Sequence, residues 1–455
     1  MTLRRQPISV RAFGVVMLGL AGCGSAQRPG GGIGHDPGAI IPRLFDPASV
    51  YVDMGFYAHG DPVPFVASVR FLATEHPDTT LAVFGLSLAN EVLSFRRSAR
   101  LFEARYRVEV GFRQAGTMVR RLASDEVVRV GTMQETLRAD ESVIYQEFVR
   151  LAAGRYVGIV TVRDRNGEQF ASVEREIDVP RFEGRRLSSL VPVYDGTART
   201  ERRAWPRLLV NPRATAPYGL DTLRIYVEAY GVDGGTPITL TATARGGETV
   251  WRDTAYLEGN RDVATAIVEL PPAQLPVGEL VLSASLPGAE PVRASALVTF
   301  SDQWAITDFE DVLSLLRYFG EDSAVAAMRA AAPDARPPLW RRFWQATDPD
   351  PVTPEHEALS AYFSRIQTAN LRFAEAGDPG WLTDRGEVFA SLGEPDEVFD
   401  QSLGLQGQRR VIRWTYVTER LSIDFVDDTG FGRFRMTPGS RAEFMRARAR
   451  RRSEH

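Results

Sequence analysis

This sequence of 455 residues is poor in the side chains that usually hold metals or form covalent intermediates. It has one cysteine and five histidines, and every basic residue is an arginine because lysine is absent. A single cysteine excludes an internal disulfide, and the scattered histidines show no metal-ligand spacing. The histidines are His35, His59, His76, His356 and His455. Phosphate loops, nucleophile elbows and catalytic cysteines are also missing, so no cofactor and no common enzyme motif is indicated.

Charge and hydropathy further narrow the classes of protein to which this chain can belong. The formal net charge is −4, so the chain lacks an overall nucleic-acid-binding signature. Its N-terminal apolar run, 12–20, is much shorter than the ~20 residues that a membrane-spanning helix needs. A hydrophobic fraction of 44% and a charged fraction of 25% are typical of globular proteins. The length exceeds what one core supports, so about three domains are expected.

The N-terminus has the pattern of a targeting segment. Arg4, Arg5 and Arg11 precede the apolar run, which ends in Leu-Ala-Gly-Cys at 20–23. This pattern resembles the lipobox of bacterial lipoproteins. The resemblance implies a signal peptide at 1–22 and a lipid-bearing Cys23 that anchors the protein in a membrane. An ordinary cleaved signal with a chance cysteine is the alternative, but Cys23 has no other cysteine to pair with.

The residues after the cysteine indicate where the anchor is placed. Gly24 follows Cys23 where an aspartate would favour retention at the inner membrane, so the resemblance to lipoproteins implies the outer membrane. Residues 23–48 are rich in glycine and proline and have no periodicity, which predicts a flexible tether. We therefore expect the folded body to face the periplasm at the end of this tether, although surface exposure is an alternative.

Residues 50–300 alternate with a period of two, which predicts antiparallel strands. Phe102, Ala104, Tyr106, Val108, Val110 and Phe112 form one apolar side. Leu223, Ile225, Val227 and Ala229 form another, and they alternate with Arg224, Tyr226, Glu228 and Tyr230. Both strands are expected to be half-buried. A weak repeat relates the hairpins near 151–179 and 275–300, which predicts two tandem all-β immunoglobulin-like sandwiches, 49–190 and 191–303.

The periodicity becomes helical from residue 304. The sequence 307–310 is a capping box, and Phe309, Val312, Leu313, Leu316 and Phe319 follow at helical spacing up to Gly320. A second helix is predicted to start at Thr353-Pro354-Glu355. Between them, Leu339, Trp340, Phe343 and Trp344 form an aromatic cluster, interpreted as core packing or as a partner patch.

Short strands end the predicted C-terminal domain. Residues 413–416 and 421–425 alternate, and a turn at 427–430 leads to a return strand, so 304–440 is expected to be an α+β domain of helices plus a small antiparallel sheet. Residues 441–455 are an arginine-rich tail, interpreted as a frayed end or as a contact for anionic lipid or polysaccharide. The predicted fold class is therefore multidomain: two sandwiches followed by an α+β domain.

One local motif is long enough to identify a family. The chain reads Gly-Trp-Leu-Thr-Asp-Arg-Gly at 380–386 and Leu-Gly-Glu-Pro-Asp at 392–396. This motif resembles the GWxTD domain of bacterial envelope proteins, and the resemblance covers roughly 304–440. It implies placement in the cell envelope and little chemistry, since no activity of the family is established.

Physical reasoning gives most motif residues structural roles. Thr383 or Asp384 can cap the following segment, whose form as helix or strand stays open. Gly386 and Gly393 suit positive φ, and Pro395-Asp396 suits a turn. Trp381 is expected to bury its ring and to find a partner for its N–H, while Asp384 and Arg385 are expected to fix the loop with charge-assisted hydrogen bonds. The alternative is a ligand or partner site. Its candidate residues are Gly380, Trp381, Thr383, Asp384, Arg385, Gly386, Gly393, Pro395 and Asp396.

An acidic cluster leaves an enzymatic alternative open. The cluster consists of Asp384, Glu387, Asp396, Asp424, Asp427 and Asp428. Two carboxylates held ~5–10 Å apart can cleave a glycosidic bond, and the same groups can bind calcium. Acidic side chains on turns and helix N-termini are the simpler interpretation. The leading hypothesis is a non-catalytic, membrane-anchored envelope lipoprotein that acts as a scaffold or binds an envelope protein. The alternatives are an enzyme or accessory acting on glycans, and a small-ligand or metal-binding lipoprotein.

Overall fold

The computed structural model describes residues 47–138, 142–301, 304, 306–353, 356–375, 377–401 and 409–454. Strands dominate to residue 299, and helices with a small sheet follow. The predicted fold class is confirmed: two β-sandwiches precede an α+β domain. Cys23 and the signal peptide lie outside the described residues. Helix α1, Pro47–Asp53, includes the last two residues of the predicted tether. Within the described part, no helix is both long and apolar enough to span a membrane.

Sandwich 1 consists of two antiparallel sheets, A and B. Sheet A has the order β1-β2-β3-β7, in which the strands are Tyr57–His59, Phe65–Ala73, Thr79–Ala89 and Ser142–Ala152. Sheet B has the order β4-β5-β8-β9 with β6 beside β5, and its strands are Arg96–Ser98 (β4), Leu101–Gln114 (β5), Thr117–Val130 (β6), Gly154–Asp164 (β8) and Phe170–Val179 (β9). The alternation predicted for β5 is confirmed, because Ala104, Tyr106, Val108, Val110 and Phe112 are buried against sheet A.

Sandwich 2 also has two sheets, C and D. Sheet C contains Arg186–Leu187 (β10), Val191–Thr197 (β11), Arg207–Val210 (β12), Leu223–Tyr230 (β14), Glu258–Gly259 (β17) and Ala264–Leu270 (β18). Sheet D contains Thr215–Pro217 (β13), Pro237–Ala244 (β15), Thr249–Tyr256 (β16), Gly278–Ser285 (β19) and Val292–Thr299 (β20). The repeated hairpins predicted from the sequence are β8-β9 and β19-β20, and each closes its sandwich as an antiparallel pair.

Sheets A and C pack face to face, so the four sheets stack in the order B, A, C, D. Leu81 and Val83 of β3 share an apolar cluster with Val193 and Tyr226 of sheet C. As a result, β3 is buried on both faces along nearly its whole length. The expectation that β14 is half-buried was wrong, because its second face, with Tyr226, Glu228 and Tyr230, lies in this interface.

A buried ion pair of sandwich 2 lies at the interface between the sandwiches and is bonded to sandwich 1. The Arg199 guanidinium donates to both carboxylate oxygens of Glu228 at 2.7 Å. It also donates to the Ala73 carbonyl of β2 at 2.6 Å. The hydroxyls of Tyr226 and Tyr230 donate to Glu228 as well. Because every member has partners, this network connects the sandwiches through defined geometry.

The C-terminal domain begins with four helices. They are Phe309–Leu315 (α2), Asp322–Ala330 (α3), Arg336–Thr347 (α4) and Glu357–Arg372 (α5). The predicted caps need correction. Asp308, rather than Thr307, caps α2 by accepting from the backbone N–H groups of Glu310 and Asp311. Helix α5 starts at Glu357 with His356 as its cap, so cap and start each lie three residues after the predicted Thr353 and Pro354. Pro354 and Glu355 lie outside the described residues.

A further helix and a small sheet complete the domain. Helix α6 is Asp384–Leu392, and sheet E has the strands Glu397–Asp400 (β21), Arg410–Tyr416 (β22), Leu421–Asp427 (β23) and Arg435–Met436 (β24), followed by helix α7, Pro438–Glu454. The interpretation of 441–455 as a frayed tail was wrong for 441–454. These residues belong to α7, and Phe444 and Ala447 are buried.

The C-terminal domain shares one apolar core with sandwich 2. Trp340 of α4 lies edge-on to Phe300, directly after β20, with ring centroids 4.5 Å apart. Arg341 donates to the Gly219 carbonyl at 2.7 Å. Trp340 is fully buried, so the aromatic cluster of α4 is confirmed as core packing. The described body is therefore held together by continuous packing from the sandwiches into the C-terminal helices.

Candidate functional site

Trp381 lies at the centre of the motif, in a 3₁₀ turn formed by Gly380–Leu382. Its ring is fully buried and meets Tyr318 edge-on, with centroids 6.2 Å apart. Burial of the ring is thus confirmed. The expected partner of the indole N–H is missing among the described residues. An indole in this position acts through its packing and has no surface to offer a ligand.

Two motif glycines allow backbone segments to approach closely. A Cβ on Gly380 would lie 2.5 Å from the Asn370 carbonyl oxygen and 2.7 Å from the Ala374 nitrogen, at the end of α5. A Cβ on Gly386 would overlap the Gly380 carbonyl oxygen and lie 2.8 Å from the Trp381 Cα. The expectation of positive φ was wrong for Gly386, which is an ordinary helical residue of α6. Glycine is required at position 386 because there is no space for a Cβ, and its backbone conformation plays no part in this requirement.

Thr383 fixes the start of α6. Its hydroxyl accepts from the Gly386 N–H at 3.1 Å and donates to the Gly380 carbonyl at 2.8 Å. Of the two predicted caps, Thr383 is therefore the residue that caps the helix. The segment 388–392, left open between helix and strand, is helical. The hydroxyl thus couples the 3₁₀ turn of Trp381 to the helix that follows it.

Asp384 connects α6 to the last strand and the last helix. One carboxylate oxygen accepts from the Met436 backbone N–H at 2.6 Å, and the other accepts from the Arg441 guanidinium at 2.7 Å. Arg441 also pairs with Glu387 at 3.2 Å. Both acids raise the pKa of Arg441, outweighing the lowering effect of its partial burial. Asp384 therefore holds β24 and α7 in place.

Arg385 points to the other side of α6 and belongs to a second network. Its guanidinium lies 4.4 Å from the Phe434 ring centroid and 3.4 Å from the Glu375 carboxylate. The buried Glu375 carboxylate also accepts from the Phe434 N–H at 3.1 Å and from Arg435 at 2.8 Å. Burial lowers the pKa of Arg385 although Glu375 raises it. Glu375 was missed in the sequence, because only its position beside β24 makes it a partner.

The second half of the motif forms the connection from α6 to sheet E. Gly393 ends α6 with φ +89°, which confirms the predicted positive φ. Its carbonyl accepts from the Tyr416 hydroxyl at 3.0 Å. Pro395 is buried, and the Asp396 carboxylate accepts from the Val417 N–H at 2.6 Å. These residues position β21 against β22.

The acidic cluster does not form a free carboxylate pair. Asp424 makes a bidentate pair with Arg413, at 2.7 and 2.8 Å. Asp427 accepts from the backbone N–H groups of Thr429, Gly430 and Gly432. Burial raises the pKa of Asp427, but the Thr429 hydroxyl and these N–H groups outweigh it, so the pKa is lowered.

The remaining acids are also engaged. Glu387 lies within 3.6 Å of Arg448 in addition to its contact with Arg441, and Asp428 pairs with Arg409 at 3.2 Å. Across the described residues, no group of three His, Cys, Asp or Glu side chains is arranged to hold a metal ion. The structure thus brings the motif together as a set of internal contacts that join α5, α6, sheet E and α7.

Comparison with known proteins identifies the C-terminal part. Residues 289–429 match the family model of the GWxTD domain, a range that begins just before β20 and ends before Met436 and Arg441. None of the curated proteins matches this chain.

Three solved structures are among those similar to this chain, each at low sequence identity and low TM-score. The BSP domain of a biofilm-associated protein is 10% identical, covers 56% of this chain and 54% of its own, and has a TM-score of 0.16. Red sea bream transglutaminase is 7% identical over 50% of this chain and 31% of its own, with a TM-score of 0.16. The fibronectin(III)-like modules of Clostridium thermocellum CbhA are 12% identical over 51% of this chain and 94% of their own, with a TM-score of 0.14.

Proposed function

We propose that this protein, whose C-terminal part is a GWxTD domain, is a non-catalytic scaffold or protein-interaction component of the bacterial cell envelope. In this proposal, acylated Cys23 anchors the chain in the outer membrane, and the tether lets the body reach an envelope protein from the periplasmic side. The anchor rests on the lipobox pattern at 20–23. Membrane lipid and one envelope protein are the partners that the proposal requires.

A non-catalytic role is supported by one observation: the side chains of the motif are buried or engaged in contacts within the fold. A general acid, base or nucleophile must reach the proton or atom that it acts on. Trp381 and Thr383 are buried, and the two carboxylate oxygens of Asp384 accept hydrogen bonds from the Met436 backbone N–H and from Arg441. The glycan-enzyme and metal-binding alternatives depended on free carboxylates in this cluster. Because these carboxylates are engaged by arginines or backbone N–H groups, the geometry favours the scaffold.

The surface of the same domain supports partner binding elsewhere. Phe399 on the edge strand β21 is 62% exposed, and Phe431 after β23 is 84% exposed. Val398 and Val417 of the same sheet region are also more than half exposed. Exposed aromatic side chains are typical anchors of protein interfaces, because burying a large rigid ring contributes much of the binding energy. The proposal therefore assigns partner contact to these side chains and structural support to the motif.

Cross-linking in intact cells, followed by affinity purification and mass spectrometry, tests this assignment. We expect wild type to capture a defined envelope protein and a Phe399→Ser/Phe431→Ser variant of equal abundance to lose it. Val352→Ser is the matched control, since Val352 is 91% exposed on a turn before α5. The proposal is rejected if the double variant captures the same partner as wild type, or if wild type captures none.

A further inference from the structure

A second polar surface lies far from the motif in sequence, at one end of sandwich 1. It is a groove of about 450 Å³ lined by Arg96, Ser98, Glu103, Arg105, Arg165 and Asn166. These residues come from β4, the start of β5 and the turn between β8 and β9. Loops that gather at one end of a β-sandwich often carry binding sites, because the sheets hold them rigidly while their side chains vary.

The walls of this groove are fixed by internal hydrogen bonds. Asn166 donates from its side chain to the carbonyls of Ser94 and Glu103, at 2.9 and 3.0 Å. The buried Asp164 carboxylate accepts from the backbone N–H groups of Ser94 and Asn166. Arg96 donates to the Asn166 carbonyl at 2.5 Å. The turn and the segment before β5 are therefore held together before any ligand arrives, which limits the entropy lost on binding.

The groove concentrates positive charge in a chain whose formal net charge is −4. Of the lining arginines, Arg105 contacts Glu103 through Nε at 2.8 Å, and Arg165 contacts Asp125 through Nε at 3.3 Å. A guanidinium has five N–H donors, so most of these donors remain available to an oxyanion. Arg97 of β4 and Arg100 on the turn that follows it are also exposed. Nearby negative charge comes from Glu103, Asp125, Asp164 and the exposed Glu168.

The mixture of donors and acceptors narrows the class of ligand. The Glu103 carboxylate only accepts hydrogen bonds, and its side chain is 14% exposed between Arg105 and Arg129. A polyphosphate would bring only acceptors to Glu103. An acidic sugar brings a carboxylate for the guanidinium groups and hydroxyl donors for Glu103 and Ser98. The groove is also within the size range of small-ligand sites.

We propose that this groove binds a uronic-acid unit of a carboxylate-bearing polysaccharide, with Arg96, Arg105 and Arg165 on the carboxylate side and Glu103 and Ser98 on the hydroxyls. The polymer extends out of the groove into solvent. This activity goes beyond the scaffold function and does not depend on the envelope protein that the C-terminal domain contacts. It makes sandwich 1 an adhesive module in addition to a support.

Titration of the purified full-length chain with polygalacturonate tests the proposal, with neutral dextran as the blank. We expect saturable binding that weakens about tenfold in Arg165→Gln and in Arg105→Gln, as for loss of one charge-assisted hydrogen bond. Both side chains are at least half exposed, and Glu103 keeps Arg129, so the fold should persist. Arg155→Gln is the matched control, because Arg155 is 75% exposed at the start of β8, the opposite end of that strand from Arg165. It should bind as wild type does.

Four outcomes overturn the proposal. They are no binding of polygalacturonate by wild type, an equal loss in Arg155→Gln, tighter binding of polyphosphate than of polygalacturonate, and binding only to phosphatidylglycerol vesicles. The second outcome would indicate general electrostatic attraction, the third a phosphate site and the fourth a lipid surface. Each leaves the partner captured by cross-linking unaffected, so failure here is distinct from failure of the scaffold proposal.

Discussion

Replacing Gly386 by alanine should destabilise the protein although alanine favours helices. Gly386 lies inside α6, where the usual effect of a glycine-to-alanine change is a gain of about 0.5–1 kcal/mol. Here the new methyl group would overlap the Gly380 carbonyl oxygen and lie 2.8 Å from the Trp381 Cα. Both neighbours are backbone atoms, so no side-chain rotation can make room. Overpacking in a core costs about 1–3 kcal/mol, and rigid neighbours favour the upper end or beyond.

We therefore expect a net loss of about 2 kcal/mol or more in the free energy of unfolding. Urea unfolding followed by circular dichroism and tryptophan fluorescence measures it. The matched control is Gly439→Ala in the first turn of α7, where a Cβ would meet nothing within 4 Å. The control should be neutral or slightly stabilising. A Gly386→Ala protein as stable as Gly439→Ala would refute the close approach of α6 to the 3₁₀ turn as the reason for glycine.

Two further predictions concern charges inside the fold. Glu228→Gln leaves the buried Arg199 without its counter-ion and should lower the free energy of unfolding by about 3–5 kcal/mol. In the same urea titration, Glu201→Gln, which removes the partner of the exposed Arg203, should lower it by less than about 1 kcal/mol. Equal losses would contradict the buried network. Asp427 has a lowered pKa in the folded state. Its contribution to the free energy of unfolding is therefore fully present above the unfolded pKa of about 4 and is lost as the pH falls through the pKa of the folded state. Asp427→Asn should therefore lower stability at pH 7 and flatten its decline below pH 4, and a variant that keeps the full acid dependence would show that other carboxylates cause it.

Local patterns were sufficient where a residue's environment is set by its near neighbours in sequence. The alternation of 102–112 predicted the buried face of β5, and the repeated hairpins predicted the antiparallel pairs β8-β9 and β19-β20. Gly393 was predicted to have positive φ because a helix end usually needs it. In such cases the physical cause lies within a few residues of its effect.

Local patterns failed where a distant segment covers a surface. The alternating pattern predicted that Tyr226, Glu228 and Tyr230 face solvent, but in the fold sheet A covers that side of the strand. Alternation shows that a strand has two different faces, but it does not show whether a second sheet covers the polar one.

The same limit applied to the motif. Asp384 is held by Arg441, 57 residues away, and Glu375 accepts from Phe434, 59 residues away. The sequence showed acids and arginines in one region, but pairing across such distances depends on the fold. This is why a cluster of carboxylates could be interpreted as a catalytic site although its members pair with arginines or accept from backbone N–H groups.

Asp384, the aspartate of the motif, is a structural link between α6, β24 and α7. A double-mutant cycle of Asp384→Asn and Arg441→Gln by urea unfolding tests it most directly. Because Asp384 is 17% exposed and Arg441 is 44% exposed, we predict a coupling energy of about 1 kcal/mol and a loss of stability in each single variant. Residues kept for chemistry often reduce stability, so their removal can stabilise a protein. Zero coupling together with a more stable Asp384→Asn protein would contradict the structural role of Asp384.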